Sequence, residues 1–135
     1  MPPSVRCLLV IAVLLGCTVP ISAPPPTEPQ AAAELDAYAT LLRGAGETGR
    51  AGEVAAQADM LRLSWRKQQE AYQAYQQGRP YDTSFYLGFN PSAVLREYAA
   101  ALRAGGLAVE ADRVDAMASA RQAEQLANAE ALAAR

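Results

Sequence analysis

A chain of 135 residues with a mean hydropathy of -0.04 and a formal net charge of -2 has room for one domain at most. It contains no histidine and only two cysteines, which removes the commonest general base and the commonest neutral metal ligand. No basic excess points to nucleic acid or to an anionic membrane surface as a partner.

Residues 1–23 read as a targeting segment. Arg6 is its only positive charge, and 7–19 is an apolar run of about 13 residues, too short to span a bilayer and right for a signal-peptide core. Two processing sites compete. Ile21-Ser22-Ala23 is an acceptable small-residue site, although Pro24 would follow the cut. Leu14-Leu15-Gly16-Cys17 resembles the bacterial lipoprotein signal: a leucine, a variable residue, a small residue, then cysteine. The resemblance implies a signal peptide over 1–16 and a palmitate-type acyl anchor on Cys17 as the mature N-terminus. With Thr18 next rather than an aspartate, it also implies the outer membrane, facing the periplasm. Cleavage after Ala23 instead predicts a soluble secreted protein. Either route loses Cys7 and leaves no free Cys17, so the fold has no disulfide, thiol nucleophile or cysteine zinc site.

Residues 17–31 read as a tether. The run TVPISAPPPTEPQ at 18–30 is proline-rich; its prolines fix φ, remove backbone donors and favour extended chain. A helical domain over 32–135 follows. Within it, residues 35–62 align without a gap on residues 95–122, about 60 positions further on. Leu35 meets Leu95, Tyr38-Ala39 meets Tyr98-Ala99, Leu42-Arg43 meets Leu102-Arg103, Gly46 meets Gly106, and Val54 meets Val114. Each copy predicts a short helix, a glycine stop and a long helix. The first hairpin covers 32–77 and the second 92–134. Leu35, Tyr38, Leu41 and Leu42 recur at helical spacing, as do Leu95, Tyr98 and Leu102. The second helix carries Ala51, Val54, Ala58, Leu61, Trp65, Tyr72 and Tyr75 in a three-four alternation broken at Gln68. Both long helices come out at about 28 residues, roughly 42 Å.

Tyr38-Ala39, Leu42, Gly46, Ala51 and Ala58, with Tyr98-Ala99, Leu102, Gly106, Ala111 and Ala118, resemble the tetratricopeptide repeat. The resemblance covers the hairpins and not the array. The family repeats every 34 residues or so and stacks at least about three units, against two units about 60 apart here, and neither long helix here is closed by a proline. The expected fold is therefore all-α, two duplicated short-long hairpins in a tetratricopeptide-like or a generic four-helix arrangement.

The joining segment 78–91, GRPYDTSFYLGFNP, differs in composition from the rest. Gly78-Arg79-Pro80 stops the preceding helix, and Asn90-Pro91-Ser92 reads as a helix entry with the serine as cap. Tyr81, Phe85, Tyr86 and Phe89 crowd into it. Together with Trp65, the only tryptophan, they either plug the space between the hairpins or form a patch that docks a partner, for which aromatics suit by area and low entropy cost. Asp112 and Asp115, with Glu110 nearby, fit a solvated face. Arg43 and Arg103 complement the ends of their helices.

These residues predict a non-catalytic protein with no cofactor, no metal and no nucleic-acid partner. It would be an exported adaptor or scaffold, anchored through Cys17 and binding another envelope protein, of the kind that assists secretion or pilus assembly. The contrasting expectation is a free secreted helical protein. So many alanines bury little apolar area per residue, which predicts reinforcement by a partner or a homodimer.

Overall fold

The computed structural model describes residues 23–82 and 90–134. Four helices follow one another: α1 (Gln30–Gly44), α2 (Thr48–Gln76), α3 (Ser92–Ala104) and α4 (Ala108–Ala133). No strand occurs among the described residues, and none of their helices is long and apolar enough to cross a membrane. The helix bounds fall within one or two residues of those expected. The clearest shift is at the start: α1 begins inside the expected tether, where Pro29 (φ -58, ψ 127) delivers the chain into the helix and Ala31 and Ala32 are already buried.

Two turns bend the chain back on itself in the same way. Gly46 (φ 83) and Gly106 (φ 80) adopt the left-handed conformation that glycine takes without steric cost. At each turn the next residue closes the helix end. The Glu47 N–H donates to Leu42 O at 2.9 Å, and the Leu107 N–H to Leu102 O at 2.9 Å. These bonds satisfy carbonyls that the helix ends would leave open. The entry to α3 differs from expectation. Ser92 is the first helical residue and is buried, so it does not cap. Its N–H donates to Asn90 Oδ1 at 2.9 Å, which makes Asn90 the satisfying side chain.

α1 packs along the first half of α2, and α3 along the first half of α4. The buried positions coincide at an offset of about 60 residues: Leu35 and Leu95, Tyr38 and Tyr98, Ala39 and Ala99, Leu42 and Leu102, Ala51 and Ala111, Val54 and Val114, Ala58 and Ala118. All of them belong to one continuous core. Alanine on both long helices at the contact lets the backbones approach closely.

The hairpins meet chiefly along α1 and α3. Tyr38 stacks on Tyr98 with ring centroids 5.1 Å apart and planes 23° apart. Arg50, just past the turn of the first hairpin, bonds Glu97 of α3 at 2.7 Å. Arg113, just past the turn of the second, pairs with Glu34 near the start of α1. Each turn end thus meets the other hairpin away from its own turn. That places α1 and α3 in opposite directions, with Tyr38 and Tyr98 at the centre of an approximate two-fold relation.

Candidate functional site

The long helices outrun their partners, and each overhang exposes large apolar side chains, as Leu41, Leu107 and Val109 do nearer the turns. Arg62 marks where α1 begins: it pairs with Asp36 on α1, with Glu28 just before it, and with Asp59 one turn back on α2. From residue 63 to Gln76 α2 runs on beyond α1 for roughly 20 Å. Gln122, which accepts from Arg96 at 2.7 Å, marks the same point on α4.

Three surroundings meet on the α2 overhang. On one side lies the segment before α1: the Trp65 indole N–H donates to the Pro25 carbonyl at 3.0 Å, and Trp65 is half-buried. On another side the chain doubles back after Gly78 (φ 65), with the Arg79 N–H donating to Ala74 O at 2.8 Å. Tyr81 then meets Tyr75 edge to face, with centroids 5.9 Å apart. Between this return and α2 is an open recess of about 440 Å³ floored by Ala71 and Ala74. Lys67 and Arg79 line it beside Glu70 and Asp82, so its charges balance and it presents no net field to an anion. The remaining side is open to solvent and begins at Leu63 (46% exposed), three residues after Met60 (50%) and so on the same face. On the α4 overhang Leu126 is 58% exposed.

Of the residues singled out in the sequence, Trp65 and Tyr81 both lie on this overhang, Trp65 against the leading segment and Tyr81 against Tyr75. Cys17, Phe85, Tyr86 and Phe89 lie outside the described residues. Asp112 and Asp115 both pair with Arg103, so that acidic face is matched by a cation from the neighbouring helix. Among the described residues no three carboxylates or thiols converge as a metal site would require.

Sequence reasoning missed Arg62 as a junction and missed the docking of the leading segment. The available signal was the pairing of a proline run ending in Glu28 with an Arg62–Trp65 step at helical spacing. The guanidiniums of Arg50 and Arg62 are held more firmly protonated than usual, chiefly by hydrogen bonds to Glu97 and to Asp36 respectively.

Compared with known proteins, the chain matches no family model, no curated protein and no solved structure.

Proposed function

We propose that this protein is a non-catalytic, exported adaptor, tethered to a membrane through acylated Cys17, that binds another envelope protein with its helical hairpins. The supporting observation is the solvent face of α2 where its overhang begins, at which Met60 and Leu63 stand exposed side by side. Single exposed apolar residues are ordinary, but a pair at helical spacing on one solvent face gives a partner an apolar anchor. An accessory lipoprotein of secretion or pilus assembly fits this description. The hairpins themselves we read as tetratricopeptide-like units closed face to face around Tyr38 and Tyr98 rather than stacked in an open array.

The test has two parts. Intact mass of the mature protein, made in a bacterium with its own leader, should begin at Cys17 with a diacyl or triacyl increment that Cys17→Ser abolishes. A photo-crosslinker at position 63 should then yield one discrete envelope adduct, while the same probe at Glu124, exposed on α4, yields none. A mass beginning at Pro24 without an adduct removes the anchor and leaves a free secreted protein. That second reading has its own support: the chain from Pro24 onward already lies against the domain, since Pro24 is half-buried and the Pro25 carbonyl is bonded to Trp65. Uniform crosslinking at both positions would remove the adaptor reading.

A further inference from the structure

The segment before α1 is held to α2 by a donor-to-acceptor match. A proline-rich stretch has few backbone N–H groups and presents carbonyls that no internal hydrogen bond occupies. Residues 24–29, PPPTEP, have four prolines in six positions. They run along α2 with a bend at Pro26 and Thr27. The two groups that α2 offers them, the indole N–H of Trp65 and the guanidinium of Arg62, donate and cannot accept. Trp65 takes the Pro25 carbonyl and Arg62 takes the Glu28 carboxylate. Trp65 and Arg62 are three apart and share a helix face; Pro25 and Glu28 are three apart in the opposite sense, so the segment runs antiparallel to the helix.

We propose that this face of α2 is a binding site for proline-rich segments that carry an acidic residue three positions after the anchoring carbonyl, and that the chain's own residues 24–29 occupy it. Aromatic donors reading donor-free, proline-rich chain is a recurring mode of peptide recognition. Because the occupant is covalently attached, it competes at an effective concentration in the millimolar range. A partner segment of the same chemistry enters only when it outcompetes the leader or when the leader is pulled away. This site does not depend on whether Cys17 carries a lipid.

Trp65 is the only tryptophan, so its emission reports the site alone in the full chain. Two full-length proteins are compared: the wild type, and a variant with Pro24→Ser, Pro25→Ser and Glu28→Gln, whose changes all lie outside the helices. The variant's emission should move to longer wavelength while its far-ultraviolet helical signal stays unchanged. A synthetic peptide of sequence APPPTEPQ should then restore the wild-type emission in a saturable way, at least tenfold more weakly when its glutamate is glutamine. The wild type should respond only at far higher peptide concentration. Identical emission of the two proteins would show that the leader is not seated at Trp65 and would overturn the proposal. A shifted variant that takes no peptide up to millimolar concentration would overturn it too, by showing a packing contact and no site.

Discussion

Gln57 sits on α2 with its Oε1 buried and without a hydrogen-bond partner among the described residues. An acceptor left in that condition costs about 1–3 kcal/mol. The corresponding place in the second hairpin holds Met117, which packs against the core. Gln57→Met should therefore raise the free energy of unfolding by about 1 kcal/mol, measured by urea denaturation at neutral pH. Tyr38 and Tyr98 make a different residue-scale statement. Burial raises the pKa of both hydroxyls above the ordinary 10.0, with Glu97 adding to the effect at Tyr38 and Glu34 at Tyr98, while Arg50 and Arg113 oppose it. Unfolding returns them to the ordinary value. The stability of the neutral pair is thus fully present below pH 10 and is lost as pH rises through the folded values, because the unfolded chain releases its protons first. Melting temperature should begin to fall near pH 10, and the slope should be shallower in Tyr38→Phe/Tyr98→Phe, each protein referred to its own value at pH 8.

At the scale of the element, the hairpin turns rest on a single backbone requirement. Gly106 has φ 80 and open space where a side chain would stand, so a substitution there meets no neighbour and only the conformation resists it. Gly106→Ala should cost about 1–2 kcal/mol by chemical denaturation, whereas Gly105→Ala, with negative φ, should cost less. This turn was legible in the sequence because glycine after a periodic stripe has a local cause. The buried stripes of the paired halves were legible for the same reason: Leu35, Tyr38 and Leu42, or Ala51, Val54 and Ala58, repeat within one element. Leu41 and Tyr75, read as part of those stripes, are instead exposed, and Ala71 and Ala74 are buried in the second half of α2. The role of Ser92 was not, because Asn90 and Ser92 both compete for the same cap and only the final geometry decides which one bonds. Nor was the leader's seat on Trp65 legible, since periodicity says which face of a helix is covered and not which distant segment covers it.

At the scale of the molecule, the two-fold relation raises the question of why the first hairpin pairs with the second and not with another copy of itself. Charge answers it. In the protein Glu34 meets Arg113, and Arg50 meets Glu97. Pairing two first hairpins would replace Arg113 by its counterpart Glu53 and set Glu53 against Glu34. Pairing two second hairpins would replace Arg50 by its counterpart Glu110 and set it against Glu97. Both alternatives place like charges together, which is specificity built by repulsion. The Glu34 side chain is only 15% exposed, so it is the more sensitive partner. Arg113→Glu should lower stability by about 1 kcal/mol, and adding Glu34→Arg should recover about half of that or more; a double-mutant cycle of melting curves at low salt checks both.

The same charge pattern accepts a second hairpin whether it belongs to the same molecule or to a neighbour. Every contact across α1 and α3 would be kept if two chains traded halves, so only the joining segment favours staying closed. Refolding at high protein concentration should therefore give a population of interchanged dimers. These should return to monomer slowly on dilution, at a rate set by opening the α1–α3 seam.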